Sequence, residues 1–453
     1  MPKTTTRERV PYRCADCGWE AAKWVGRCGG CQAWGTVEEV RPTRLRAVAP
    51  APVTTAARPI VHVDVAAAQA RPTGVPELDR VLGGGLVPGA VVLVAGEPGV
   101  GKSTLLLDVA ARFAEPGETS LVVTGEESAA QVRLRAGRIG ALAPDLYLTA
   151  ETDLATVLGH VDEVKPSLLV VDSVQTIGCT DIEGAPGGMA QVREVAGALS
   201  RVAKERGIAV VLVGHVTKDG AIAGPRVLEH LVDVVLHFEG DRHARLRMVR
   251  AVKNRFGPTD EVGCFDLGDG GIVGLPDPSA LFVTRHRHPV PGTCVTVALE
   301  GRRPLVAEVQ ALVAESTFGT GRRATSGLDT SRVSMVLAVL EKRGGIPLAK
   351  QDVYAATVGG VRMTEPASDL AITLSVASAA RDLALASDLI AIGEVGLAGE
   401  VRPVSGLERR LAEAARLGFT QALVPTRPTR VPEGMDVIEI ADVPSLLAAI
   451  RAQ

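Results

Sequence analysis

Gly96-Glu97-Pro98-Gly99-Val100-Gly101-Lys102-Ser103-Thr104 is the stretch on which the reading of this chain turns. Its spacing is G-x-x-x-x-G-K-[ST], that of a phosphate-binding loop. The apolar run Val91 to Ala95 before it reads as a buried strand. Leu105, Leu106, Val109 and Ala110 after it recur at helical spacing. Glycines let backbone N–H groups turn inward around a polyphosphate, at a helix N-terminus whose dipole end is positive. In that frame Lys102 neutralises the outer phosphates, and the Ser103 hydroxyl can ligate Mg²⁺. The chain is expected to bind a nucleoside triphosphate through residues 96 to 104.

Working outward, residues 74–89 read as a short helix and a glycine-rich entry to the strand. Ser120 to Thr124 is a second apolar run, ending in Gly125-Glu126-Glu127-Ser128. A carboxylate just past a strand end beside a phosphate loop can activate an attacking water, so Glu126 or Glu127 is the candidate base. A glutamate at a helix start also suits the macrodipole, which is the structural alternative for either. Leu168-Leu169-Val170-Val171-Asp172 is an apolar strand ending in a carboxylate. With a phosphate loop upstream, Asp172 is expected to hold Mg²⁺ through water. Ala209 to Val213 is another buried strand, ending at Gly214-His215, where His215 either senses the γ-phosphate or serves the fold.

Two glycine-rich loops, Thr176 to Met189 and Lys218 to Arg226, leave the nucleotide edge of the sheet. Mobile loops there can couple nucleotide state to a bound polymer. Val232 to Phe238 and Arg245 to Val252 read as hairpin strands joined near Gly240-Asp241. The second strand runs into Lys253-Asn254-Arg255-Phe256-Gly257. Lys253 and Arg255, two apart on an extended chain, point the same way. They suit phosphate-charge stabilisation across a subunit boundary, a nucleic-acid backbone, or a solvated strand face.

At 453 residues there is room for about three domains. A 46% hydrophobic, 22% charged composition is that of a soluble globular protein. No apolar run is long enough to span a membrane, and the first residues lack a signal-peptide core, so the cytoplasm is expected. Net charge is −3, but residues 1–71 carry a formal +5, a hint of a polyanion partner or of a solvated segment. Cys14-x-x-Cys17 and Cys28-x-x-Cys31 have the spacing of a closed tetrahedral Zn²⁺ site, structural rather than catalytic. Trp19, Trp24 and Trp34 lie in or beside it. They are expected to form the small apolar core of a zinc ribbon, or else to stack on nucleotide bases. Cys179, Cys264 and Cys294 have no partner spacing. Residues 1–35 are the expected zinc module, and residues 36–70 a linker rich in Pro, Ala, Thr, Val and Arg.

The phosphate loop, the Asp172 strand, Gly-Glu-Glu-Ser and the long hairpin resemble the RecA-type ATPase core. Together with the Cys₄ module and Lys-Asn-Arg-Phe-Gly, they resemble the RadA (Sms) family of bacterial DNA-repair proteins over essentially the whole chain. That resemblance implies an α/β architecture of zinc ribbon, RecA-like ATPase over 71–284 and a Lon-protease-like α+β domain over 285–453. It implies ATP, Mg²⁺ and Zn²⁺ as cofactors and a homo-hexameric ring with ATP between subunits. It further implies single-stranded and branched DNA as partners, with a RecA recombinase. The implied activity is DNA-dependent ATP hydrolysis, extending or branch-migrating strand-exchange intermediates. Glu126 takes the catalytic position, and Lys253 and Arg255 become trans-acting or DNA-coupled cations. A clock-type ATPase scaffold shares the RecA-like core, but the zinc module and Lys-Asn-Arg-Phe-Gly count against it.

In the last third, Asp329 or Thr330 can cap a helix bearing Val333, Val336, Leu337 and Leu340 and ending at Gly344-Gly345. Further helices are expected from Ala367 to Leu385 and Val404 to Gly418, with a strand from Asp388 to Ile392. This pattern resembles the proteolytic domain of Lon. Such a peptidase needs a Ser nucleophile and a Lys base. Matched to the Lon segments, Ala367 stands at the serine and Glu408 at the lysine; Ser368 is one residue late. Ser405 and Glu408 have capping-box spacing instead. No peptidase activity is expected.

Overall fold

The structure is a computed structural model and describes residues 12–39, 57–62, 65, 68–114, 117–215, 226–240, 245–284, 289–317 and 321–450. The expected loop at 218–225, the hairpin turn at 241–244 and most of the linker lie outside the described residues. The chain divides into two units at Asp64/Val65.

In the first unit, β1 (Tyr12–Cys14) pairs antiparallel with β2 (Glu20–Ala21) and β3 (Val37–Glu39). β3 carries the ribbon to Glu39, beyond the expected boundary at 35. The cause is Val37, which closes a core made with Cys14 and Cys28, against which Tyr12, Trp19 and Val25 pack. The expected three-tryptophan core is corrected: Trp24 and Trp34 are 63% and 75% exposed. Trp19 lies so close over Gly29 that a Cβ there would sit 2.5 Å from its ring. A module this small has no interior left for two more indoles.

The second unit opens with α1 (Pro76–Leu82), followed by β4 (Val91–Gly96), α2 (Lys102–Phe113), β5 (Ser120–Thr124) and α3 (Ala129–Ile139). β6 (Leu146–Ala150), α4 (Leu154–Val164), β7 (Leu168–Asp172), α5 (Met189–Arg206), β8 (Ala209–His215) and α6 (Arg226–Leu231) come next. β9 (Val234–Glu239), β10 (Leu246–Asn254), β11 (Val262–Gly268) and β12 (Gly271–Gly274) complete the ATPase domain. Among the described residues these strands form one sheet in the order β12-β11-β10-β9-β4-β8-β7-β5-β6. Strands β4 to β9 are parallel neighbours, and β9 to β12 continue antiparallel.

The apolar runs are continuous because both faces of the parallel strands are covered. Val92, Val94, Val122, Val170 and Val211 pack on Leu105, Leu106 and Val109 of α2. The alternate residues Val91, Leu93, Leu121, Leu169 and Leu212 pack on Val157 and Val161 of α4 and Val192, Val195 and Leu199 of α5.

The last third holds β13 (Thr293–Glu300), β14 (Arg303–Glu315), β15 (Arg323–Ser326), α7 (Thr330–Lys342), β16 (Gln351–Thr357) and α8 (Asp369–Arg381). β17 (Leu389–Ala391), β18 (Glu394–Val395), β19 (Val401–Arg402), α9 (Leu407–Arg416), β20 (Gln421–Val424), β21 (Asp436–Glu439) and α10 (Val443–Ala449) follow. The sheet order is β15-β16-β14-β13-β17-β20-β21. Asp329, not Thr330, caps α7, accepting from the Arg332 N–H at 2.8 Å. The Ser405–Glu408 capping box is not formed. The N-cap of α9 is Gly406 in the left-handed region (φ +65°), and Glu408 instead accepts from the Arg430 N–H at 3.1 Å.

The core of this third continues into the ATPase sheet: Leu246, Val262 and Cys264 join Phe282, Val309, Leu340 and Leu370 in one cluster. An ion pair between Glu77 of α1 and Arg303 of β14 lies inside this junction, with both side chains at most 6% exposed. Glu77 also accepts from the Cys264 N–H at 2.9 Å, and Arg303 donates to Val262 O, Leu275 O and Pro276 O. Breaking a buried pair from one side strands the other charge, at about 3–5 kcal/mol. Arg303→Ala is therefore expected to lower chemical-denaturation stability by that amount, whereas Arg302→Ala, a half-exposed neighbour, changes it by less than about 1 kcal/mol.

Candidate nucleotide site and zinc centre

Gly96 ends β4, and the loop turns into α2 through Gly99 (φ +82°) and Gly101 (φ +109°), conformations open to glycine and closed to most residues. Val100 is buried between them, and Thr104 lies on the first turn of α2. Lys102 is buried; its ammonium donates to Gly96 O at 2.8 Å and Glu97 O at 2.9 Å. Burial draws its pKa down, while the carboxylates of Asp172 and Glu126 oppose the shift.

Asp172 ends β7 two strands away, with the Ser103 hydroxyl hydrogen-bonded to it. Burial pushes the Asp172 carboxyl up, against that hydrogen bond. Ser103 and Asp172 are thus one hydroxyl and one carboxylate side by side under the phosphate loop, a donor set suited to Mg²⁺.

Glu126 and Glu127 are separated by the fold. Glu127 forms an ion pair with Arg135 of α3 and closes a turn on Thr124. Glu126 faces the nucleotide side. It accepts from Ser173 Oγ at 2.7 Å and bonds His215 Nε2 at 3.0 Å. Burial alone would raise its pKa; the Ser173 hydroxyl, the His215 ring and the Lys102 charge outweigh it and hold the carboxyl below its ordinary value. His215 stands opposite Gly96 in the β4–β8 ladder. Through Nε2 it is joined to Glu126. Ser173 was missed from the sequence; its only signal is that it follows Asp172.

One loop departs from expectation. The loop from Thr176 to Met189 is tied down: Gln191 accepts from Cys179 N–H and donates to the carbonyls of Cys179, Ile182 and Gly184. Lys253 and Arg255 are not beside Lys102. Lys253 pairs in register with Val235, itself opposite Leu93, three residues below Gly96. Along the strand direction that is about 10 Å, and about 17 Å for Arg255. Lys253 Nζ donates to Glu229 O at 2.6 Å and Val232 O at 2.7 Å, closing the end of α6. Arg255 pairs with Asp233 at 2.9 Å and remains half exposed.

The four thiols of Cys14, Cys17, Cys28 and Cys31 lie within 4.8 Å of one another. Cys14 Sγ···Cys31 Sγ is 3.7 Å and Cys17 Sγ···Cys28 Sγ is 3.4 Å. A tetrahedral Zn²⁺ with Zn–S of about 2.3 Å needs sulfurs about 3.8 Å apart. The donor set and spacing fit Zn²⁺, and four thiolates leave no open coordination position.

At the position of the Lon nucleophile, Ala367 is buried and Ser368 is also buried, its Oγ donating to Glu365 O at 2.8 Å. Arg410, wholly buried, forms an ion pair with Glu365.

Comparison with known proteins gives three family matches: an AAA domain over residues 56–221, a rubredoxin metal-binding domain over 12–39, and subunit ChlI of Mg-chelatase over 356–428. The curated DNA repair protein RadA of Mycolicibacterium smegmatis is 54% identical, covering 98% of this chain and 97% of that protein. The RadA proteins of Mycobacterium tuberculosis H37Rv (55%, covering 97% of this chain and 92% of that one) and Bacillus subtilis 168 (44%, 99% of each) are also similar. No helix among the described residues is long and apolar enough to cross a membrane.

Because the ribbon core is little more than Cys14, Cys28, Val37 and Trp19, metal binding and folding of this module are one event. Chelation of Zn²⁺, or Cys28→Ser, is expected to unfold residues 12–39, seen as a red shift of tryptophan emission and new protease cleavage there. The ATPase domain should keep its thermal transition.

Proposed function

The chain belongs to the RadA family of bacterial DNA-repair proteins, and on that premise we propose that it is a DNA-dependent ATPase. It binds single-stranded and branched DNA and drives branch migration or strand-exchange extension during recombinational repair. Its AAA domain hydrolyses ATP with Mg²⁺. The observation that carries the finer reading is the separation of the cations from the phosphate loop. Lys253 and Arg255 lie at the far edge of the sheet from their own Lys102. They serve a nucleotide only if it belongs to a neighbour, as in a ring with ATP between subunits; a homo-hexamer is the arrangement proposed.

In each subunit Lys102 neutralises phosphate charge, and Ser103 and Asp172 hold the metal ion. Glu126 takes the proton of the attacking water, and Ser173 and His215 fix its carboxylate. Thr176 links this base to the loop that follows β7: a Cβ on Gly125 would fall 2.1 Å from Thr176 Oγ1, so the residue before Glu126 packs directly on that loop. Lys253 holds the end of α6, and Lys253 and the more exposed Arg255 are together the trans-acting or DNA-coupled cations. A recombinase of the RecA type is the proposed partner. The C-terminal domain, with Ala367 and Glu408 in place of a Ser–Lys dyad, has no peptidase activity and supports assembly.

The reading is tested by steady-state hydrolysis with and without single-stranded DNA. Turnover is expected to rise with DNA and to vanish in Lys102→Ala. DNA affinity should fall steeply with salt as phosphate contacts release counterions. A protein whose hydrolysis ignores DNA and which fails to bind it would overturn the proposal.

The depressed pKa of Glu126 has a sign that can be checked. A base held low stays ionised to lower pH, so the acid limb of kcat/KM, which reports the free enzyme, lies lower than an unperturbed glutamate would place it. Ser173→Ala removes one stabilising hydrogen bond and should move that limb upward while lowering kcat at neutral pH. An unmoved limb would remove Ser173 from this role.

A further inference from the structure

The geometry points to Arg247 as a further nucleotide-positioning residue, one that braces the phosphate loop from behind and so sets affinity for the polyphosphate. This deepens the nucleotide reading above and rests on it.

A loop that turns its N–H groups toward a polyphosphate still has carbonyls of its own, and each buried one needs a donor. Lys102 supplies Gly96 O and Glu97 O. For Val100 O, at the middle of the loop, the donor is Arg247 Nε at 3.2 Å, from β10. The Arg247 guanidinium also donates to Leu246 O at 2.9 Å, and the side chain is only 4% exposed. An arginine stays charged when buried, and hydrogen bonds such as these offset its desolvation. A fixed positive charge therefore stands directly behind Val100, on the outside of a loop whose inside receives a polyanion.

The surroundings are shaped for this side chain. Gly240, at the end of β9, has no room for a Cβ, which would lie 2.2 Å from Arg247 Cδ. Leu267 of β11 and Ile272 of β12 lie under Gly101, so the antiparallel strands form the floor of the loop. Arg247 is the charged member of that floor. Because it touches the loop backbone and not the γ-phosphate end, its effect falls on ATP and ADP alike, and on binding more than on turnover.

The test is binding of fluorescent ATP and ADP analogues together with steady-state kinetics for Arg247→Met, Arg247→Lys and Gly240→Ala. Arg247→Met is expected to weaken both nucleotides by about tenfold or more and raise KM to match, with kcat within about threefold. Arg247→Lys, which keeps the charge, should recover part of the loss. Gly240→Ala, which crowds the same side chain, should weaken binding in the same direction. A purely structural pin would lower thermal stability without this split and without charge-dependent recovery. A folded Arg247→Met that binds both nucleotides within twofold of the parent overturns the inference. Where that variant does not fold, Gly240→Ala with unchanged affinity overturns it. Lys102→Ala is the control: if it binds nucleotide normally, the site itself is misassigned, a failure separate from that of Arg247.

Discussion

A phosphate loop must face its N–H groups inward, and that constraint propagates through the ATPase domain. The left-handed glycines at 99 and 101 follow from it. So does the route of Lys102 back to the carbonyls of Gly96 and Glu97, and the position of β10 behind Val100. Phe238 packs so tightly against Gly96 that a Cβ there would lie 2.5 Å from its carbonyl. The parallel strands bring Ser103, Asp172, Glu126 and His215 to the same edge because every crossover helix returns the chain to start the next strand from the opposite side.

The antiparallel extension gives β10 two functions at once. Its first residues lie beside the phosphate loop, and its last lie near the start of β4 and β9. Arg247 and Lys253, six residues apart, are therefore about 20 Å apart on one rigid strand. Lys-Asn-Arg-Phe-Gly is further anchored through Asn254, whose amide donates to Val81 O and Leu82 O at the end of α1. The helix that enters the phosphate-loop strand and the motif at the far edge are in contact.

The C-terminal domain keeps a Lon-like frame and fills it with arginine–carboxylate pairs. Arg410 with Glu365 and Arg332 with Asp369 lie around Ala367 and the start of α8. Asp369 is fully buried and also accepts from the Val395 N–H, so it orients the β18–β19 hairpin. A buried carboxylate engaged by a guanidinium and a backbone N–H is committed to the fold. The Glu77–Arg303 pair does the same between this domain and the ATPase sheet, which is why no gap separates them near residue 284.

The sequence by itself determined what depends on local spacing. The phosphate loop, the Asp172 strand, the two CxxC knuckles and the period-3.6 face of α7 were all legible, because each is set by a few neighbouring residues and a backbone geometry they force. Helix ends were legible where a side chain caps them, as at Asp329. They were not at Gly406, where a left-handed backbone replaced the expected Ser405–Glu408 box. The tertiary structure shows why the two adjacent glutamates part: Glu127 is drawn to Arg135 eight residues on, while Glu126 turns to Ser173 and His215. It alone decided that Ser173 and His215 meet on Glu126, that Trp24 and Trp34 stay outside the ribbon core, and that Lys253 is spent on α6. These outcomes depend on contacts between residues from 8 to 89 positions apart, and on which side chain reaches a shared partner first. No pattern within one element encodes that competition.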